Sequence, residues 1–170
     1  MSNPLLVNVA ELTRRPGSEK DIKVVVAAEQ LEFNDSRITS DEVPLHLHLE
    51  SVNGGIAVVG SVTVGWRDEC SRCLKPIAGS ITAQVHELFQ QNVTDPDAYP
   101  IVGEQLDLTE MVREVLLIEV PKLPLCSETC PGLCPTCGSD LATAPCKCAP
   151  VKKSSPWEAL DQLKGQLPGV

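Results

Sequence analysis

Hydrophobic and polar residues alternate most regularly between residues 45 and 89. The alternation is interrupted once by Asn53-Gly54-Gly55, a turn sequence typical of β-hairpins, and once by the Cys70–Cys73 pair with the Pro76–Ser80 turn. A period of two with one apolar face predicts three antiparallel strands, packed inward on one side and solvated on the other. The apolar positions are Leu45, Leu47, Leu49, Ile56, Val58, Val62, Val64, Trp66, Ile81, Ala83, Val85 and Phe89.

Two further segments carry a clear secondary-structure signal. The β-branched run Asp21–Ala28 predicts another strand. Asp107, with Glu110 three residues later, forms a capping-box-like start for a helix that should end by Val120, because Pro121 disfavours a helical residue before it. The apolar face of this helix recurs at helical spacing and consists of Leu108, Met111, Val112, Val115 and Leu116.

The remaining segments are less regular. Residues 1–12 give a short apolar stretch followed by a polar turn, and residues 92–103 are predicted to be an exposed loop. Ser155-Pro156-Trp157-Glu158 resembles a capped helix start, and Trp157, Leu160 and Leu163 form a short stripe that packs either on this domain or on a partner.

These elements predict an α+β fold: an antiparallel sheet or partly closed β-barrel with one packed amphipathic helix, zinc-knuckle loops and a short C-terminal helix. The expected organisation is a core with the first cysteine pair over residues 1–125, a cysteine-rich zinc module over 126–150, and a linker with the C-terminal helix over 151–170.

The composition favours a folded chain with an aliphatic core. Hydrophobic residues make up 42% of the 170 positions, and only five residues are Phe, Trp or Tyr. The N-terminus lacks a basic start and a sustained apolar run, and no segment approaches the roughly 20 apolar residues of a membrane span. We therefore expect a cytoplasmic protein, whose thiols stay reduced and where clustered cysteines more often bind metal than form disulfides.

The charge distribution limits the kinds of partner. The net charge is −9, and residues 41–110 hold eleven acidic and three basic residues, a local charge of −8. This balance argues against an indiscriminate nucleic-acid binder. The segment from Leu141 to Trp157 contains three lysines and no acid, so an anion-facing patch is expected near the last cysteines.

The eight cysteines carry the strongest chemical signal. They form close pairs, and two short loops can each offer two thiolates to one tetrahedral ion. The Cys134-Pro-Thr-Cys137-Gly138 segment is typical of a metal knuckle, with Gly138 at a turn position that tolerates positive φ. Two sites are predicted, one from Cys70, Cys73, Cys126 and Cys130 and the other from Cys134, Cys137, Cys146 and Cys148.

Zinc is favoured over iron as the metal, because rubredoxin-type iron sites usually pair two C-P-x-C-G knuckles and this chain has one. We expect two zinc ions, each with four cysteine ligands and therefore no open position for water, so that the sites are structural. The sequence also has no P-loop, no G-x-G-x-x-G and no G-x-S-x-G. An enzyme with a catalytic zinc or a small-molecule substrate is not expected.

Six residues are candidates for contact with RNA or a protein partner. Arg72 and Lys75 flank the first knuckle; they either contact phosphate or are simply solvated charges beside a metal loop. The others lie near the last cysteines or in the predicted C-terminal helix, and are Lys147, Lys152, Lys153 and Trp157.

Taken together, these motifs resemble the YceD family, the large ribosomal RNA subunit accumulation proteins of bacteria and plastids. The likeness is carried by Cys70-Ser-Arg-Cys73-Leu-Lys, the capped helix, Leu-Pro-Leu-Cys126, Cys130-Pro-Gly-Leu-Cys134-Pro-Thr-Cys137-Gly-Ser-Asp-Leu141 and a final helix. Two further segments resemble those of the family's actinobacterial branch: Glu11-Leu-Thr-Arg-Arg-Pro-Gly17 and Leu49-Glu-Ser-Val52. Many members carry Asp-Pro-Arg where this chain has Ser155-Pro156-Trp157.

The resemblance implies a non-enzymatic role in making or stabilising large-subunit ribosomal RNA, with a large-subunit precursor, through its RNA or a ribosomal protein, as partner. Members that lack the later cysteines tend to keep the first pair and a second pair after the helix, which supports joining Cys70 and Cys73 with Cys126 and Cys130. Two other hypotheses remain open: a zinc-stapled protein–protein adaptor, and a redox-sensing zinc protein whose thiolates release metal on oxidation.

Overall fold

The computed structural model describes residues 3–148 and confirms the α+β class. Within these residues none of the helices is long and apolar enough to cross a membrane. The described part contains seven strands, two α-helices and the 3₁₀ helix Ala28–Leu31; in chain order they are β1 Leu6–Asn8, α1 Ala10–Arg14, β2 Glu19–Ala27, β3 Glu42–Val52, β4 Gly55–Glu69, β5 Pro76–Gln90, β6 Tyr99–Val102, β7 Gln105–Asp107 and α2 Thr109–Glu119.

All seven strands belong to one sheet, in the order β1-β7-β6-β5-β4-β3-β2. The three predicted antiparallel strands are its centre, with Leu47 opposite Gly60 and Gly60 opposite Val85. One pair is parallel: Phe89 at the end of β5 lies beside Tyr99 at the start of β6. The sheet is therefore mixed. A tight hairpin would make β5 and β6 antiparallel, whereas the 91–98 loop lets β6 run beside the end of β5 in the same direction.

The sheet is curled, so that its two edges approach each other. β1 and β2 occupy opposite edges, yet only residues 9–18 connect them. In a flat sheet six strand spacings would separate them by roughly 29 Å. Instead the Lys20 Nζ of β2 donates a hydrogen bond to the carbonyl oxygen of Asn8 in β1 at 3.0 Å. The curl gives the partly closed barrel that the alternation predicts.

The concave side of the sheet holds the core. Leu45, Leu49 and Val58 are fully buried there, and α2 covers the sheet with Met111 and Leu116. Burial of each such side chain contributes about 1.5–3 kcal/mol to folding. With few aromatic residues available, the core is aliphatic, as the composition predicts.

The two ends of α2 are fixed by polar contacts. At the start, the backbone N–H of Thr109 donates to Asp107 Oδ1 at 2.9 Å. The N-cap position is Leu108, one residue later than predicted, and it makes no side-chain cap hydrogen bond. At the end, Arg37 Nη1 donates to the carbonyl oxygen of Pro121 at 2.8 Å, while its Nη2 pairs with Asp35 Oδ2 at 2.6 Å. The hydrogen bonds from Arg37 lower the pKa of Asp35. This pairing positions the chain where it leaves the helix and approaches the cysteines.

The prediction of an exposed loop over residues 92–103 is wrong in its second half. Tyr99–Val102 forms β6, and Ile101 is buried in the core while Val102 points to solvent. The segment is only four residues long and contains Pro100, so its alternation is too short to recognise in the sequence. Likewise the apolar stretch near the N-terminus forms β1, and the following residues form α1, which was not predicted.

Gly60 provides a test of how closely β3 and β4 approach. A Cβ at Gly60, where φ is +151°, would overlap the backbone carbonyl of His46 on the adjacent strand. We expect Gly60→Ala to lower the free energy of unfolding by about 3 kcal/mol or more, because the two strands must separate. Urea unfolding followed by circular dichroism measures the change.

The matched control is Gly103→Ala. Gly103 also has a positive φ, +63°, but its Cβ would meet nothing within 4 Å. Gly103→Ala should lower the free energy of unfolding only by the backbone strain, about 1–2 kcal/mol. Equal destabilisation by the two substitutions would contradict the close approach at Gly60.

Candidate metal centre

The first cysteine pair lies in the tight turn between β4 and β5. The N–H of Cys70 donates to the carbonyl oxygen of Lys75 at 2.8 Å, and the N–H of Leu74 donates back to the carbonyl oxygen of Cys70 at 2.9 Å. These bonds close a knuckle whose two cysteines, Cys70 and Cys73, are both buried. The long hairpin thus holds two thiols side by side at one end of the sheet, as the sequence predicts.

The chain that follows α2 brings a second pair to this knuckle. The N–H of Ser71 donates to the carbonyl oxygen of Pro124 at 2.9 Å, which aligns the two segments. The Sγ atoms of Cys70 and Cys130 lie 3.9 Å apart, and those of Cys73 and Cys126 lie 3.6 Å apart. All four sulfur atoms are within 4.8 Å of one another, and we call them the first tetrad.

The remaining four cysteines form the second tetrad, which is local in sequence. Its Sγ atoms, from Cys134, Cys137, Cys146 and Cys148, also lie within 4.8 Å of one another. The N–H of Gly138 donates to the carbonyl oxygen of Cys134 at 2.9 Å, which closes the second knuckle. Gly138 has a φ of +73°, the left-handed conformation that its place after Cys137 predicts.

The sulfur spacing fits tetrahedral metal ligation. Four sulfurs at about 2.3 Å from a zinc ion are about 3.8 Å from one another, close to the 3.6 and 3.9 Å found in the first tetrad. A disulfide requires about 2.05 Å, and all eight cysteines are free thiols. Each tetrad can therefore hold one ion with four thiolate ligands.

The local electrostatics favour a bound cation. Backbone N–H groups of Cys126 and Cys73 lower the pKa of Cys70 to about 6, and those of Cys137 and Thr136 lower the pKa of Cys134 to about 6. In the first tetrad the neighbouring sulfur of Cys130 is the main reason why the pKa of Cys126 rises to about 12. Four thiolates so close together repel one another, and a divalent cation relieves that repulsion.

Arg72 links the first knuckle to the chain on both sides of Cys130. Its Nη1 atom donates to the carbonyl oxygens of Glu128 at 3.1 Å and Cys130 at 2.9 Å. Its own carbonyl oxygen accepts from the N–H of Leu133 at 3.1 Å. A Cβ at Gly132 would lie 3.0 Å from that same oxygen, so the close contact also requires a glycine there.

Lys75 makes a second contact between the knuckles. Its Nζ lies 2.7 Å from Asp140 Oδ2, and the pairing lowers the pKa of Asp140 and raises that of Lys75. Sequence reasoning missed Asp140 as a partner, because the two residues are far apart in the chain and no local pattern joins them. Both cations that flank the first knuckle therefore have partners inside the protein.

The other candidates for partner contact lie near or beyond the end of the described residues. Lys147 is exposed between Cys146 and Cys148. Lys152, Lys153 and Trp157, together with the predicted C-terminal helix, lie outside residues 3–148.

With the tetrads located, the sequence can be compared with known families. Residues 58–164 match the family described as "Large ribosomal RNA subunit accumulation protein YceD". The chain belongs to the YceD family. The matched region begins in β4 and includes the first knuckle, β5, α2 and both tetrads, so the candidate metal centre lies wholly within the YceD region.

Other relatives are consistent with membership of the YceD family. An uncharacterised protein of Mycobacterium tuberculosis is 32% identical over 155 residues, which cover 85% of this chain and 74% of that protein. An uncharacterised protein of Mycobacterium leprae is 29% identical over 183 residues, which cover 98% of this chain and 81% of that protein. A chloroplastic YCED homologue of Zea mays, named a large ribosomal RNA subunit accumulation protein, is 32% identical over 68 residues, covering 39% and 22%. No solved structure matches this chain.

The contacts of Arg72 predict a local effect of its removal. Arg72→Gln shortens the side chain and breaks two hydrogen bonds to the segment between Cys126 and Cys130, each worth about 1–1.5 kcal/mol. We expect amides in residues 128–141 to exchange hydrogen about tenfold faster, with the sheet unaffected. Hydrogen exchange followed by mass spectrometry measures this.

Arg67→Gln is the control, because Arg67 is also an exposed arginine of the same hairpin. It should leave exchange in residues 128–141 unchanged. Equal exchange rates for the parent chain and Arg72→Gln would show that the guanidinium does not hold the segment around Cys130.

Proposed function

We propose that this chain is a non-enzymatic, zinc-stabilised factor in large ribosomal subunit biogenesis, which acts in the cytoplasm and promotes the accumulation of large-subunit ribosomal RNA. The observation that carries the proposal is the family match over residues 58–164. The two plant relatives are named large ribosomal RNA subunit accumulation proteins, which supports the same role. The partner is a precursor of the large subunit, through its RNA or one of its proteins.

The metal part of the proposal assigns one zinc ion to each tetrad. Eight thiol sulfurs in two groups, at the spacing of a tetrahedral site, support this assignment. Soft thiolate ligands in tetrahedral geometry select zinc or iron–sulfur chemistry. Zinc is preferred because the two knuckles differ: Cys137 is followed by Gly138, whereas Cys73 is followed by Leu74, so the paired C-P-x-C-G pattern of rubredoxin iron is absent.

The role assigned to the metal is structural. Four cysteines complete a tetrahedral coordination sphere and leave no position for a reacting water. The first tetrad joins the β4–β5 turn to the segment after α2, so the ion there connects the sheet with the C-terminal module. The second tetrad stabilises only its own short loop.

We predict two zinc ions per chain, and different consequences when each site is removed. Elemental analysis should find about two zinc ions in the parent chain and about one in each of Cys73→Ser and Cys146→Ser. Cys73→Ser should lower the unfolding midpoint of the whole domain, because its tetrad joins distant segments. Cys146→Ser should mainly accelerate hydrogen exchange after residue 133.

Two results would contradict this division. Iron, or a single zinc ion, in the parent chain would overturn the assignment of the metal to the tetrads. An equal loss of global stability in the two variants would overturn the different roles of the two sites.

The biological role predicts a specific loss when the protein is depleted. The ratio of large-subunit to small-subunit ribosomal RNA should fall, and the tagged protein should co-sediment with large-subunit precursors on a sucrose gradient. Complementation with the parent chain should restore the ratio, and Cys73→Ser should not. An unchanged ratio on depletion, with the protein only at the top of the gradient, would reject the function.

A further inference from the structure

Two buried polar residues line the same cavity. Within residues 3–148 the buried polar residues are Ser51 and Gln90, which are 9% and 8% exposed. Both line a cavity of about 620 Å³ that is bordered by the β3–β4 turn, the end of β5 and the turn after α1. Burial of a polar group is unfavourable unless the group is hydrogen-bonded, so the partners of these two side chains matter.

The carboxamide of Gln90 is fixed in one orientation. Its Oε1 accepts hydrogen bonds from the backbone N–H groups of Thr94 at 3.0 Å and Asp95 at 3.2 Å, and from the Thr94 hydroxyl at 3.3 Å. Because backbone N–H groups only donate, they identify the oxygen and leave the nitrogen on the other side. Nε2 finds no acceptor within residues 3–148. It lies beside the β3–β4 turn, since a Cβ at Gly54 would be 4.0 Å from it.

Ser51 is held by its backbone, and its hydroxyl is left over. Its N–H donates to the carbonyl oxygen of Ser18 at 2.9 Å, and its carbonyl oxygen accepts from the N–H of Gly17 at 3.0 Å. In the described part of the chain, every side-chain nitrogen or oxygen that is sealed from solvent has a partner. The unpaired Ser51 hydroxyl and Gln90 Nε2 must therefore be open to solvent, and the cavity that both residues line provides the opening.

The lining of this cavity carries no charge. Its exposed polar side chains are hydroxyls and carboxamides, including those of Asn53, Gln91 and Asn92, and it contains no acidic, basic or histidine side chain. An ion would lose its water there without gaining an opposite charge, so the cavity favours an uncharged ligand. Its volume falls in the range of roughly 300–1,000 Å³ that is usual for small-molecule sites.

Charged residues lie next to the lining residues in the sequence, but they balance one another. They comprise two cations and two acids, so they favour neither an anionic nor a cationic ligand. These residues are Arg14, Arg15, Glu50 and Asp95.

The cavity combines polar groups with apolar surface. The apolar part comes from Val52, Ile56 and Ile101. A heterocycle with hydrogen-bonding edges and apolar faces suits this combination. Asn and Gln carboxamides pair well with the edges of nucleobases, and unpaired bases offer those edges to proteins.

A peptide suits the cavity less well. Extended peptides often bind by adding a strand to a free sheet edge. The strands that border this cavity, β3, β4, β5 and β6, each have a neighbour on both sides, so none of them offers a free edge.

We propose that this cavity binds a nucleobase, whose edge accepts a hydrogen bond from Gln90 Nε2 and forms another with the Ser51 hydroxyl, while its faces contact the apolar side chains. The base comes either from a free nucleoside or from an unpaired position in single-stranded RNA, and the chemistry recognised is the same. The site does not depend on the function proposed above; the RNA source would connect the two.

Titration of the full isotope-labelled chain with adenosine, guanosine, cytidine and uridine, followed by NMR, tests the site. We expect at least one nucleoside to cause saturable shifts of the Gln90 side-chain amide. Its 5′-monophosphate should bind more weakly, because the lining offers phosphate no partner and the chain has a charge of −9. Tighter binding of the monophosphate would show that phosphate is recognised instead of the base, and would overturn the proposal.

Two substitutions test the hydrogen-bonding groups. Gln90→Glu keeps an oxygen for Thr94 and Asp95 but replaces the donor with an acceptor, so nucleoside affinity should fall about tenfold. Ser51→Ala removes a hydroxyl that has no protein partner, so the unfolding midpoint should stay unchanged while affinity falls about threefold. This second variant keeps the test decisive if Gln90→Glu folds poorly.

Gln84→Glu is the matched control. Gln84 is exposed on the same strand and does not line the cavity, so the same chemical change should leave nucleoside binding unaltered.

Single-stranded RNA rich in the preferred base identifies the source. Tighter binding of the strand than of the nucleoside assigns the site to RNA, and the reverse assigns it to the free nucleoside. Duplex RNA should not shift the Gln90 amide in either case, because its base edges are paired.

Three results would overturn the site and leave the function proposed above unaffected. In the first, neither the nucleosides nor the single strand shifts the Gln90 amide. In the second, both cavity variants bind as well as the parent chain. In the third, protein extracted from the large subunit shifts this amide while nucleosides and RNA do not, which would make the occupant a peptide.

Discussion

The convergence of cysteine side chains from two distant segments is the interaction on which the C-terminal part of the structure depends. Within the described residues, the segment from 120 to 148 contains no helix and no strand longer than an isolated bridge. It therefore has no backbone ladder of its own, and it buries few apolar side chains beyond the cysteines themselves. Small regions that lack a core usually need a metal or disulfides to fold. This segment is held in place instead by the tetrads, the Arg72 hydrogen bonds and the Lys75–Asp140 pair.

The three central strands and α2 could be predicted because they depend on local periodicity. The alternation between Leu45 and Phe89 predicted the three central strands, and the capped pattern after Asp107 predicted α2. The close pairing of cysteines predicted the two groups in which their sulfurs now lie. In each case the signal is repeated over several neighbouring residues, so tertiary contacts did not need to be known.

The features that were missed depend on partners far away in the chain. β6 is four residues long and contains Pro100, so only its pairing with β5 makes it a strand. Arg72 and Lys75 could be recognised as cations beside a knuckle, but their partners, the carbonyl oxygens of Glu128 and Cys130 and the carboxylate of Asp140, lie more than fifty residues away. A charge in a sequence indicates what it can bind, while only the fold determines what it does bind.

The pairing of β1 with β7 has a consequence for how the protein is made. Leu6 lies opposite Asp107, and Asn8 lies opposite Gln105, so the N-terminal strand has its partner about a hundred residues later in the chain. Contacts between such distant residues form slowly, because a long loop must close before they contribute. During synthesis, β2 to β5 can pair as successive hairpins, whereas β1 cannot pair until β7 has emerged from the ribosome. The sheet is therefore completed late, shortly before the C-terminal cysteines become available, and the order of translation matches the order in which the parts depend on one another.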